Sequence, residues 1–244
     1  MTRFFVSGEA ILGQAITLTG DNAAHARVLR LNPGDPVMVC DGHGTEFLCQ
    51  VESAEQRQTV LSVQSRSICQ SEAKILVRLY LGFPKADKLE HVIQKATELG
   101  AAEVVAFPAA RCVSRPDEKS LVKKVERWQK IAASAAEQSG RGIIPAVRVL
   151  PSYTAALAEA AQADLPVLFY ENEAGYTFSK AIHDRQGFHT VSLLTGPEGG
   201  LEPQEVDAAQ SAGLLVCTLG RRILRCETAP LCALSAVMFA AGEF

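Results

Sequence analysis

Two strand-to-helix junctions near the C-terminus constrain the fold of this chain more than any other feature. Residues 190–194 and 214–219 are short apolar or β-branched runs that read as buried strands. The first run opens into Thr195-Gly196-Pro197-Glu198-Gly199-Gly200-Leu201 and the second into Gly220-Arg221-Arg222-Ile223-Leu224-Arg225-Cys226-Glu227-Thr228-Ala229, each followed by a helical pattern. Glycine at a strand exit lets the backbone approach a ligand closely, and the free N–H groups of the next helix face the same place. Either loop alone is also what a tight strand-to-helix turn looks like. Two of them in one small domain point to a ligand held mainly by main chain. Neither loop is the G-x-G-x-x-G dinucleotide pattern, and no G-x-x-x-x-G-K-[ST] phosphate loop occurs in the chain.

The same alternation extends back to residue 75. Residues 75–81, 104–107 and 167–170 read as strands; 85–99, 118–138, 153–161 and 179–183 read as helices. Such alternation predicts an α/β domain with a parallel sheet covered on both faces, whose ligands sit outside the carboxyl ends of strands. Residues 1–70 have a different rhythm. Short strand candidates at 4–6, 15–18, 37–40, 46–51 and 59–63 are separated by turn signals, and one helix interrupts them at 23–29 with Asp21 as a candidate N-cap. This region reads as a small barrel. Polar residues 67–74 read as the linker, which places the domains at 1–70 and 74–244.

Composition narrows the class. Apolar residues make up 48% and charged residues 21%, as in a globular protein with a sizeable core. No apolar run is long enough to span a bilayer and no signal peptide is evident. Seven cysteines without a C-x-x-C pair point to reduced, buried thiols, a cytoplasmic home and no structural zinc, and the scattered histidines offer no metal site. The first seventy residues carry five arginines and no lysine against seven acids, so any contact with RNA must come from a local patch.

The two loops together resemble the S-adenosylmethionine site of the SPOUT methyltransferases, and most closely the RsmE family. Lys95-Ala96-Thr97-Glu98-Leu99-Gly100, Trp128-Gln129-Lys130-Ile131-Ala132 and Glu137-Gln138-Ser139-Gly140-Arg141 extend the resemblance, in the expected order, over essentially the whole chain. It implies a C-terminal SPOUT domain with a trefoil knot, preceded by a PUA-like β-barrel that binds RNA. It further implies methylation of uridine N3 in 16S rRNA of the small ribosomal subunit, S-adenosyl-L-methionine as cofactor and a homodimer whose active site the partner chain completes. The matched positions assign cofactor contacts to Leu194, Thr195, Gly196, Pro197, Glu198, Gly199, Gly200, Leu219, Gly220, Ile223, Leu224, Arg225, Thr228 and Ala229. Pro230 and Phe83-Pro84-Lys85 depart from the family pattern. A non-catalytic RNA-binding dimer and a small-molecule nucleotide enzyme are the alternatives.

Candidate chemistry centres on arginine. A uracil N3 must lose its proton before it attacks a methyl group, and a guanidinium beside the base favours the anion. Arg225 is the first candidate, Arg141 the second, and Glu198 is a candidate catalytic carboxylate. Arg221, Arg222 or Arg225 can also simply pair with Glu198 or Glu227. On the long helix Leu121, Val125, Trp128, Ala132 and Ala135 form an apolar stripe, opposite Lys123, Arg127, Lys130, Ser134, Glu137 and Arg141. That second stripe is either an ordinary solvated face or a phosphate-binding surface ending at Arg141. Arg27, Arg30, Arg127, Lys130 and Arg141 are therefore the RNA-binding candidates. Thr228 is a natural N-cap for the last helix, and residues 231–241, apolar on nearly every side, must be buried within the domain or at a subunit interface.

Overall fold

A computed structural model describes residues 1–7, 11–113 and 117–244. The chain divides into two compact units, one of residues 1–72 and 136–144, the other of residues 73–135 and 145–244. No sequence boundary marks the return of 136–144 to the first unit.

In the first unit β1 (Thr2–Phe5), β2 (Ile11–Leu12), β3 (Ala15–Thr19), β4 (Pro36–Cys40), β5 (Thr45–Ala54) and β6 (Gln58–Ile68) form one mixed sheet in the order β1-β4-β5-β6-β3-β2. Only β1 and β4 pair in parallel. Register shifts in the β5/β6 ladder after Leu48 and after Val51 bend the two longest strands, giving a half-barrel. Alternate residues turn inward, so Phe4, Ile16, Leu18, Val37, Val39 and Leu61 fill the core. The helix α1 (Gly20–Val28) starts earlier than the sequence predicts: its N-cap is Thr19, and Asp21 lies within the first turn.

The second unit alternates β7 (Leu76–Gly82), α2 (Lys88–Glu98), β8 (Glu103–Phe107), α3 (Glu118–Ser139), β9 (Ala146–Val149), α4 (Tyr153–Ala160), β10 (Leu165–Phe169), α5 (Phe178–Asp184), β11 (Thr190–Thr195), α6 (Pro203–Ser211), β12 (Leu215–Cys217) and α7 (Thr228–Ala240). All six strands are parallel, in the order β12-β10-β11-β7-β8-β9. β10 is buried throughout and β11 nearly so, as their unbroken apolar runs require of strands covered on both faces. The chain builds outward from β7 to β9, then places β10 on the other side, with β11 between β10 and β7. The carboxyl ends of β10, β11 and β12 thus lie together where the strand order switches. From the edge strand β12 the chain returns to pack α7 on β11 and β7, in the centre of the sheet.

The long helix keeps its predicted apolar face, with Trp128, Ala132 and Ala135 buried and Lys123, Arg127, Lys130 and Ser134 exposed. Its polar stripe does not continue to Arg141. The helix stops at Ser139, Gly140 takes φ +78°, and the Arg141 N–H turns back to the Ala136 carbonyl. Glu227 rather than Thr228 is the N-cap of α7, and no side chain caps that end. Among the described residues no helix is long and apolar enough to cross a membrane.

Candidate active site

A cleft of about 410 Å³ opens at the carboxyl ends of β10, β11 and β12. Three loops line it: Tyr170 and Glu171 after β10, residues 195–198 and Gly200 after β11, and residues 218–226 after β12. Lys88 of α2 and Ala229 of α7 complete the wall. Of the predicted cofactor contacts, Thr195, Gly196, Pro197, Glu198, Gly200, Leu219, Gly220, Ile223, Leu224, Arg225 and Ala229 line this cleft.

Leu194, Gly199 and Thr228 do not. Leu194 points into the core and is fully buried, because alternate residues of β11 face opposite sides of the sheet. Thr228 is the exposed first residue of α7. Gly199 is small for another reason: a Cβ there would stand 2.9 Å from the Arg111 Cβ and 3.2 Å from its carbonyl oxygen, while Arg111 donates to the Gly199 carbonyl at 3.2 Å. The Arg111 packing is what leaves no room for a side chain at that position.

The glycines that shape the cleft are Gly82, Gly196, Gly200 and Gly220. Gly82 ends β7, where a Cβ would lie 2.6 Å from the Pro197 ring, so the β11 loop rests directly on that strand end. Gly200 at φ +68° and Gly220 at φ +109° hold left-handed conformations that a Cβ disfavours. Among the described residues, the backbone N–H groups of Leu219, Ile223 and Leu224 meet no acceptor within the chain. Among the described residues two side-chain hydroxyls, Ser192 and Thr195, are buried without a partner, and the Thr195 one borders this space of ligand size, beside loop N–H groups left open to a ligand or to water. This is a site built for a polar ligand with an apolar body.

The charges are arranged differently from either sequence expectation. Glu198 and Glu227 pair with none of the three arginines. The Lys88 ammonium lies 3.1 Å from a carboxylate oxygen of each. Glu198 also accepts the Lys85 N–H at 2.9 Å. Burial pushes the Glu198 carboxyl up, but the Lys85 N–H and the Lys88 ammonium outweigh it and hold it below the usual glutamate range. Glu227 is held low in the same way, by hydrogen bonds that include those from the Cys226 thiol and Lys88. These contacts tie Glu198 to the loop before α2 and to Lys88, and so brace the loop after β11. Hydrogen bonds to Glu227 and Glu198 raise the Lys88 ammonium, which stays charged. Burial, above all, pushes the Cys226 thiol up to about 12, leaving it a neutral donor to Glu227 at 3.2 Å. Arg221, Arg222 and Arg225 line the cleft with no carboxylate in ion-pair range among the described residues.

Arg141 lies elsewhere. It belongs to the first unit, is 4% exposed, and gives its guanidinium to Glu72 at 2.6 Å. The same Glu72 carboxylate accepts the Gly142 and Ile143 N–H groups at 2.8 and 3.0 Å. Arg141 is therefore a buried structural arginine and neither lines the cleft nor offers a surface for phosphate. Arg127 is exposed but paired with Glu90 at 2.7 Å, and Lys130 is exposed. Arg27 and Arg30 border a second hollow of about 280 Å³ on the half-barrel, with Asn32, Gln56 and Thr59. Arg30 lies beyond the end of α1, at φ +55°, not on the helix itself.

The chain matches the model of an RNA methyltransferase domain over residues 71–238 and that of an RNA methyltransferase PUA domain over residues 18–63. It is 38% identical to the ribosomal RNA small subunit methyltransferase E of Bacillus subtilis, over 91% of this chain and 89% of the relative. The chain belongs to the ribosomal RNA small subunit methyltransferase E family. The member from Mycobacterium tuberculosis is 33% identical over 96% of this chain and 90% of its own length. A crystal structure of the family member from Neisseria gonorrhoeae, bound to S-adenosyl methionine, aligns over 98% of this chain and 97% of its own with a TM-score of 0.87 at 29% identity. An RNA methyltransferase domain thus follows a PUA domain in this chain.

The cleft residues missed in the sequence are Lys88, Phe169, Tyr170, Glu171, Thr218 and Cys226. Tyr170 and Glu171 follow a strand exit without glycine, and only the general placement of ligands at strand carboxyl ends could have drawn attention to them.

Proposed function

We propose that this chain transfers a methyl group from S-adenosyl-L-methionine to N3 of a uridine in the 16S rRNA of the small ribosomal subunit. The observation that carries the proposal is the cleft, where unpaired N–H groups, a partnerless Thr195 hydroxyl and left-handed glycines converge at a switch point of a parallel sheet. When bound, the cofactor supplies an electrophilic methyl on its sulfonium. The backbone of residues 219–224 and the Thr195 hydroxyl hold its polar groups, and Leu219, Ile223 and Leu224 cover its apolar parts. Arg225 stands beside the uracil and stabilises the anion left when N3 passes its proton to solvent water; that anion takes the methyl group and the thioether S-adenosylhomocysteine leaves. Holding that anion in line with the methyl group supplies the rest of the rate gain. Arg27, Arg30 and Lys130 contact RNA phosphates, with Arg127 contributing less because Glu90 already holds it.

The active species is a homodimer. α7 buries Ala233, Leu234, Val237 and Met238 against its own sheet and leaves Cys232, Ala236, Phe239 and Ala240 exposed along the opposite face. Phe239 is 74% exposed, and an apolar stripe of this kind fits a second copy of the same helix.

Isothermal titration with S-adenosylmethionine, S-adenosylhomocysteine and ATP tests the cofactor. Binding of the first two and not of ATP is expected. Uptake of ATP alone would make the chain a nucleotide enzyme, and uptake of none would make it a binding module. Arg225→Ala is expected to abolish methyl transfer while leaving RNA affinity within about threefold, and equal loss of both would remove Arg225 from the chemistry.

A further inference from the structure

We infer that Lys88 is a positioning residue that locks the β11 loop to the N-cap of α7 and so sets the shape of the cofactor cleft. The inference rests on the methyltransferase reading of that cleft. Lys88 is the first residue of α2, and its ammonium bridges Glu198 on the loop after β11 and Glu227 at the N-cap of α7, 3.1 Å from each. The bridge joins segments that the chain visits 110 and 139 residues after Lys88, and these segments form two walls of one cavity. Glu198 in turn accepts the Lys85 N–H, which adds the loop between β7 and α2 to the same lock.

The stability of α2 does not explain this lysine. A cation is the unfavourable charge at a helix N-terminus, where the dipole favours anions. What the position offers is reach to two carboxylates that would otherwise face each other without a counter-charge. With Lys88 present the trio carries one net negative charge. Without it, two anions on adjacent loops repel and the loops part. Glu227 sharpens the argument, because its side chain holds Lys88 but does not line the cleft. Glu227 can act on cofactor binding through loop position or through its charge, and Lys88→Met separates the two, because loss of a nearby cation alone would not weaken binding of a cationic cofactor.

The test is a titration series with S-adenosylmethionine on full-length wild type, Lys88→Met, Lys88→Arg, Glu227→Gln and the Lys88→Met/Glu227→Gln pair. Initial rates on small subunits accompany it. Lys88→Met and Glu227→Gln should each weaken cofactor binding about 10-fold, the loss typical of removing one partner of a part-buried, charge-assisted bond. The pair should lose no more than the worse single variant, because one bridge is broken in both. Lys88→Arg should recover most of the affinity. KM for the cofactor should rise while kcat at saturation stays within about threefold. Glu227→Gln and Lys88→Arg keep the test open should Lys88→Met fail to fold. Cofactor affinity within twofold of wild type in Glu227→Gln would overturn the inference, as would additive losses in the pair. A wild type that takes up no S-adenosylmethionine would overturn the methyltransferase reading itself.

Discussion

Replacing Glu72 with alanine removes the carboxylate that pairs with a buried guanidinium. Arg141 is 4% exposed and its Nη2 donates to Glu72 at 2.6 Å, while the same carboxylate accepts the Gly142 and Ile143 N–H groups. Breaking a buried ion pair by removing one partner costs about 3–5 kcal/mol. The Glu72 side chain is 17% exposed, so water reaches part of the vacated space and the lower part of that range, about 3–4 kcal/mol, applies here. For a chain of this length each kcal/mol moves the midpoint by about 2–4 °C, so the melting temperature should fall by about 6–16 °C. Glu72→Gln should lose about half as much, since the amide oxygen still accepts one N–H. Arg141→Ala should be destabilising too, yet leave cofactor affinity unchanged, because Arg141 does not line the cleft. Thermal melts followed by circular dichroism, with a double-mutant cycle, measure the coupling. Shifts below about 2 °C in both single variants, against the range expected from that scaling, would refute the structural role given to this pair.

Three further outcomes are expected. Gly200→Ala should destabilise by about 1–2 kcal/mol and weaken cofactor binding, since the residue sits at φ +68° and its Cβ would collide with the Glu171 carboxylate; calorimetric binding equal to wild type would contradict it. Phe239→Lys should turn a dimer into a monomer in sedimentation velocity, and an unchanged dimer would place the interface elsewhere. Glu198 and Glu227 are held below their ordinary values, so the stability they add is fully present above about pH 4.3, the ordinary glutamate value, and is lost as pH falls through their lowered values. Loss of cofactor affinity already between pH 7 and 5 would show that the Lys88 bridge is not what titrates.

The glycine loops were legible because their constraint is local. A strand exit that needs left-handed backbone selects glycine at that position, as at Gly200 and Gly220. The buried strands were legible from their unbroken apolar runs, whereas β9, four residues with an arginine among them, offered no such run. Lys88 was not legible, because its partners are far along the chain and it read as one more charged residue of the helix at 85–99. Arg141 misled because the helical spacing was extended one turn too far. Gly140 marked the stop, and past it the chain turns inward to Glu72. The segment 67–74 read as a linker from its polar composition, yet Ser71 and Glu72 use that polarity to bind Gly140, Gly142 and Ile143.

The central claim is met most directly by incubating the purified protein with S-adenosylmethionine and undermethylated small ribosomal subunits, then digesting the 16S rRNA to nucleosides for mass spectrometry. The account predicts one new modified nucleoside, 3-methyluridine, approaching one per subunit and absent with Arg225→Ala. A methyl group on another base or on a ribose, or no transfer by a protein that binds the cofactor, would contradict it.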